Sequence, residues 1–281
     1  MALPICATSL RSRLFRRSSA RLQPASSRSN HASASSSIGT APCESVPDKE
    51  SRSIPAMQWF VRSLSPFDQM WVIERFREGL RSLGYKITSL QGRVVRGMAI
   101  DAPRPAIHML LQVDLPEGPY LADVGFGNLA PTSALLLKPD VEQDTPHEPM
   151  RFIDVGGELT LQAKLRDMWE HIYRVIPYPR YDGEYEITNW YTGTHPDAPY
   201  QGNIIAAKPG PNRTRITMFN ARLTVRHATG EAERRLLKDE AEFRSVLRGE
   251  FGLNMSDDEI RTCISVMERK GEKGAPHPFF A

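Results

Sequence analysis

Residues 106–127 read AIHMLLQVDLPEGPYLADVGFG, and the fold is decided in this stretch. Ile107, Met109, Leu111 and Val113 fall on one face of an extended segment, with His108, Leu110 and Gln112 on the other. Pro116-Glu117-Gly118 is turn chemistry of the kind that joins antiparallel strands. A second strand resumes at 120–124. Such a hairpin brings His108 within pairing reach of Asp123, 15 residues later. A carboxylate beside an imidazole fixes its tautomer and stabilises the imidazolium, the orienting role in a nucleophile–His–Asp triad. Gly125 and Gly127 follow at once and permit close backbone approach. The same residues also fit a purely structural His–Asp pair, and the spacing alone leaves both readings open.

Working outward, Ile73, Phe76, Leu80 and Leu83 recur at helical spacing before Gly84, which predicts an amphipathic helix over about 69–83. Strand-like runs occupy 86–97, 106–115, 120–124, 150–155, 158–164 and 170–176, with Gly156-Gly157 as a hairpin signal. A short helix is expected at 182–191, and strands at 203–207, 214–220 and 222–227, with 208–212 as a loop. The C-terminus turns helical. Asp239 and Glu242 open one helix that Gly252 closes, and Ser256 with Glu259 forms a capping box before Ile260, Cys263, Ile264 and Met267. Strands in the middle with helices at both ends predict an α+β fold rather than alternating βαβ units.

Composition narrows the class. The 281 residues are 40% hydrophobic and 25% charged, which excludes a wholly disordered or fibrous chain. No run reaches the roughly 18–20 apolar residues of a membrane-spanning helix. Cys6, Cys43 and Cys263 have neither metal-ligand nor paired spacing, which suits a reducing compartment. The net charge of +3 is uneven: residues 1–43 hold six arginines among serines and alanines and no acid, and without them the remainder is slightly acidic. The basic balance is therefore poor support for nucleic-acid binding. Residues 1–53 are expected to be disordered and low in complexity. They read as an organelle transit peptide, a plain tail or a wrongly read gene start.

Several strings together resemble the arylamine N-acetyltransferases. They are Leu83-Gly84-Tyr85, Arg93-Val94, His108-Met109-Leu110-Leu111, Asp123-Val124-Gly125-Phe126-Gly127, Thr145-Pro146-His147-Glu148-Pro149, and Asn189-Trp190-Tyr191 with Thr194-His195-Pro196. They occur in the family's order over about residues 74–270. The resemblance implies a cysteine-protease-like fold with a helical N-terminal domain, a central antiparallel β-barrel and a C-terminal α/β lid. On that pattern residues 54–84 are a remnant of the helical region, 85–195 the barrel with His108 and Asp123, and 196–281 the lid. It also implies ping-pong transfer of acetyl from acetyl-CoA through a Cys thiolate to an arylamine or arylhydrazine, without a metal. An imidazolium partner would lower that thiol's pKa.

The chain departs from the family at the nucleophile. The family's cysteine stands in an Arg-Gly-Gly-Tyr/Phe-Cys-Phe-Glu-type string a fixed distance before the Leu-Gly helix end. Counting back from Gly84 places it near Gln69, in Ser65-Pro66-Phe67-Asp68-Gln69-Met70-Trp71, where there is no cysteine and no glycine pair. Cys43 lies about 26 residues earlier, and Cys263 falls on the apolar face of the last helix. Three readings follow: a gene model misread at its start, a pseudo-enzyme that binds CoA or an aromatic ligand, or a Cys-less relative of similar fold such as a transglutaminase-like protein. For CoA, the resemblance points to Tyr200 for packing and Lys208 for a phosphate contact. The expected role is acetylation of foreign aromatic amines, in the cytoplasm, or in an organelle if the N-terminus is a transit peptide.

Overall fold

The computed structural model describes residues 66–195, 198 and 203–270. The disorder expected for 1–53 and the site expected at Tyr200 lie outside them, as does Gly271. Helix α1 spans Pro66–Ser82. Its inward stripe is Ile73, Arg77 and Leu80, one residue in each turn. A buried arginine is tolerated there because Arg77 Nη1 donates to Asp182 Oδ1 at 2.7 Å and to Ser89 Oγ at 3.1 Å. Leu83, expected on this stripe, instead lies beyond the helix and is exposed. The helix ends in a reversal at Gly84 (φ 86°), with Tyr85 N bonded back to Leu80 O at 3.1 Å.

A seven-stranded antiparallel sheet follows, in the order β4-β3-β2-β1-β7-β6-β5. Its strands are β1 (Lys86–Val94), β2 (Ala106–Leu115), β3 (Gly118–Ala122), β4 (Leu135–Leu136), β5 (Met150–Val155), β6 (Glu158–Leu165) and β7 (Met168–Ile176). Bridges Pro139–Phe152 and Gln143–Met150 bring the chain after β4 against β5, so the sheet nearly closes into a barrel. The expected strand 86–97 stops at Val94, just past a bulge at Gly92/Arg93. A side chain at Gly92 would press on Leu110 and on the Arg174 carbonyl.

Period-two alternation of β2 sets the layers. Met109, Leu111 and Val113 pack outward beneath α1 with Ile73, Leu80 and Tyr185, whereas Leu110 points into the barrel core with Leu121, Phe152, Leu161 and Tyr173. His108 is therefore on the barrel side. Helix α2 (Asp182–Thr194) is three residues longer than expected. It begins with Glu184 Oε2 accepting from Tyr181 N at 2.9 Å.

A second sheet has the order β11-β10-β9-β8, from β8 (Ile205–Pro209), β9 (Arg215–Phe219), β10 (Arg222–Arg226) and β11 (Ala232–Leu236). Lys208 and Pro209, expected in a loop, pair with Ile216 and Arg215 as the end of β8. Proline is compatible with that place because β8 is an edge strand. Helix α3 (Glu240–Ser245), the π turn Val246–Glu250 and helix α4 (Asp257–Lys270) cover this sheet. Asp239 Oδ1 caps α3 by accepting from Glu242 N, and Ser256 and Glu259 form the expected capping box on α4.

Candidate active site

Asp123 lies one residue past β3, where the chain leaves the sheet. Its Oδ1 accepts from Gly125 N at 2.9 Å and Phe126 N at 3.2 Å, an Asx-type turn that fixes the carboxylate's direction. Its Oδ2 meets His108 Nε2 at 2.8 Å and accepts from the Tyr173 hydroxyl at 2.8 Å. The Asp123 side chain is 0% exposed and that of His108 6%.

A carboxylate so buried would ordinarily be driven up in pKa. Against that burial stand the His108 charge and hydrogen bond, the Gly125 N–H and the Tyr173 hydroxyl, and together they hold Asp123 below its usual range. Tyr173 moves the other way: burial, and then the neighbouring Asp123 charge, push its phenol well above the usual value. Ionised Asp123 can only accept, so Nε2 of His108 carries the proton. Among the described residues Nδ1 has no hydrogen-bond partner, which leaves it as a base. His108, Phe126 and Tyr173 form a mutual aromatic cluster with all three centroid separations at 5.1 Å.

Helix α1 closes over this group. A Cβ placed on Gly125 would lie 2.6 Å from Ile73 Cδ1 and 3.8 Å from His108 Cε1. Gln69 precedes Ile73 by one helical turn, in the first turn of α1. The helix that carries Ile73 over the dyad therefore also carries position 69.

The other residues singled out in the sequence lie elsewhere. Lys208 Nζ donates to the Glu250 carbonyl at 2.6 Å, at the end of the π turn. Cys263 is buried in the core beneath the second sheet. The Thr145–Pro149 string is a clasp between the sheets. Arg215 grips Glu148 through Nε and Nη2, the shortest contact being 2.6 Å. Arg213 donates to the His147 carbonyl, and His147 Nε2 lies 3.3 Å from the Gly210 carbonyl. Sequence reasoning missed Tyr173. The signal available was a phenol in an apolar strand, since a buried Tyr hydroxyl needs a partner. Among the described residues there is no group of three metal-ligating side chains, and no helix is long and apolar enough to cross a membrane.

Comparison with known proteins agrees on one relationship. A family model described as N-acetyltransferase matches residues 74–260. An arylamine N-acetyltransferase of Mycobacterium bovis is 36% identical over 181 residues, 63% of each chain, so the chain spans under two-thirds of that relative's length. The solved Mycobacterium marinum arylamine N-acetyltransferase in complex with CoA superposes with a TM-score of 0.63 at 33% identity, covering 68% of this chain and 71% of that one. A solved Mycobacterium smegmatis enzyme with one cysteine replaced by glutamine superposes at 0.62 and 31% identity, covering 68% and 72%. With the family model matched along most of its length, this chain belongs to the arylamine N-acetyltransferase family.

Proposed function

We propose that this chain carries a site for acetyl-CoA and an arylamine in which the base of the family's acyl-transfer machinery is kept and the acyl-holding thiol is absent. The buried His108–Asp123 contact at 2.8 Å carries the reading, because it fixes the tautomer and leaves Nδ1 to take a proton. In the ping-pong scheme a thiolate attacks the acetyl carbonyl and the CoA thiolate leaves; the arylamine nitrogen then attacks the resulting thioester and expels the cysteine thiolate. Its proton passes to the imidazole. Gln69, near the expected place of the cysteine, has no thiol and cannot form that thioester. Removing the nucleophile of a catalytic triad costs about a million-fold in rate, with only binding and electrostatics left.

The chain therefore acts on this reading as a binder of CoA and aromatic amines, with Phe126, the partly exposed member of the His108–Phe126–Tyr173 cluster, offering an aromatic wall. The CoA complex of the M. marinum relative supports CoA recognition. The cysteine-to-glutamine exchange in the M. smegmatis relative supports the compatibility of such a change with this fold. The acceptor class is arylamines and arylhydrazines, the setting foreign-amine metabolism, and the compartment the cytoplasm. The test mixes purified chain with acetyl-CoA and a substituted aniline, follows thiol release, and titrates CoA calorimetrically. Saturable CoA binding without thiol release above background is the expected result. A burst of one equivalent of CoA with acetyl on Cys43 would restore the enzyme reading, and absence of CoA binding would end the binding one.

A further inference from the structure

The clasp between the sheets holds more positive charge than its carboxylates neutralise. Arg215 is 2% exposed, and although Nε and Nη2 grip Glu148, its Nη1 is buried without a partner. Arg226 sits directly across from it, in register on β10. Two guanidinium-bearing residues opposed in this way repel. Arg96 approaches from the first sheet. Val95 N donates to Ile172 O at 3.1 Å, which sets Arg96 just past β1 and alongside the 170–171 end of β7. It is buried, and no hydrogen bond or ion pair ties it to another described residue. The carboxylates in electrostatic range of Arg96 and Arg226 are Glu148, already gripped by Arg215, and Glu170, which is exposed and makes no ion pair among the described residues. Arg234 adds a further positive neighbour for Arg226.

Burial and like charge both disfavour the cationic forms of this cluster. Burial first, and then Arg226, push Arg96 down to about 10, and burial also lowers Arg226. An interior that buries guanidinium groups without matching anions is incomplete. Arg226 is only half-buried, whereas Arg215 opposite it is almost wholly buried.

We propose that this corner is a binding site for a phosphate-class oxyanion, held by Arg96, Arg226 and the free Nη1 of Arg215. Three donors from three backbone segments suit a tetrahedral anion with at least three acceptor oxygens better than a carboxylate, and guanidinium forks match phosphate oxygens well. The source is either free inorganic phosphate or the phosphate end of a nucleotide. The site stands independently of the acyl-transfer reading, since none of its residues touches His108 or Asp123.

The test is a titration of the full chain with inorganic phosphate, and separately with adenosine 3′,5′-bisphosphate, at constant ionic strength, read by thermal shift and calorimetry. Wild type is expected to bind one equivalent and to melt higher as phosphate rises. Arg226→Gln is expected to raise the half-saturating concentration about ten-fold or more. Without phosphate, Arg226→Gln and Arg96→Met are expected to melt higher than wild type, because they relieve repulsion. A merely structural clasp predicts the opposite sign. Arg261→Gln, at an exposed position of α4, serves as the control and should bind as wild type does. Tighter binding of the bisphosphate, lost in Arg226→Gln, identifies the source as nucleotide-borne, and equal binding identifies free phosphate. No saturable binding of either anion to wild type, or binding unchanged in Arg226→Gln, would overturn the proposal.

Discussion

The Tyr173 hydroxyl donates to Oδ2 of Asp123 at 2.8 Å, on the same oxygen that His108 Nε2 meets. The carboxylate is therefore held by two side chains on Oδ2 and two backbone amides on Oδ1, with no solvent to replace any of them. Removing one donor leaves a buried charge under-bonded. Tyr173→Phe is expected to cost about 1–3 kcal/mol of stability at neutral pH, measured by urea denaturation. A loss indistinguishable from zero would mean that the hydroxyl does not support Asp123.

The same bond has a pH signature. Asp123 titrates in the native state below its usual range, so its contribution to stability is complete above the ordinary carboxylate range and is lost as pH falls through the depressed native value. Tyr173→Phe removes one of the groups that lower the native pKa, so the acid-linked loss of stability, which begins in the ordinary carboxylate range in both proteins, should be smaller in the variant and end at higher pH. Denaturation curves taken from pH 7 down to pH 3 read this directly. Parallel acid limbs in the two proteins would contradict it.

Gly125 gives way to Ile73 where α1 crosses the dyad, with Cδ1 lying 2.6 Å from any added Cβ. Gly125→Ala is expected to cost about 1–3 kcal/mol through overpacking. Ile73→Val removes Cδ1 and in the wild-type background should cost about 0.5–1.5 kcal/mol. In the Gly125→Ala background it should instead restore part of the loss. A double-mutant cycle measures that change of sign, and strict additivity would show that the two residues do not share the space.

The clasp makes a sharper demand. Glu148→Gln leaves Arg215 charged and almost wholly buried, for an expected loss of about 3–5 kcal/mol. Replacing both partners, as Glu148→Leu with Arg215→Met, should recover most of it, because an apolar pair needs no counter-charge. A double variant as unstable as the single one would assign the loss to packing rather than to the stranded charge.

How much of this was legible in the sequence depends on which force shaped each element. The alternation in 107–113 and the turn at Pro116–Gly118 were legible because burial on opposite faces writes a period of two, and they led to His108 and Asp123. Tyr173 was not, because its apolar strand marks it as buried without naming its partner across the barrel. Arg77 broke the helical pattern because its burial depends on Asp182, 105 residues away. Strand β11 carries a charged sequence, exposed nearly throughout, and is held by backbone pairing to β10 and by the Arg235–Glu242 pair to α3. Strand β4 is two residues long, too short to write any period. Lys208 looked like a loop cation because Pro209 follows it, yet at a sheet edge proline continues the strand.

The central claim is that the dyad is a working base whose nucleophile is missing at position 69, and the Gln69→Cys variant tests it most directly. Mixed with acetyl-CoA and no amine, Gln69→Cys is expected to release about one equivalent of CoA thiol and to carry the acetyl group on the new cysteine by mass spectrometry. Wild type should do neither, and adding His108→Gln to the variant should abolish the burst. A folded Gln69→Cys protein that binds CoA yet stays unacetylated, or a wild type that releases CoA as fast as the variant, would contradict the account.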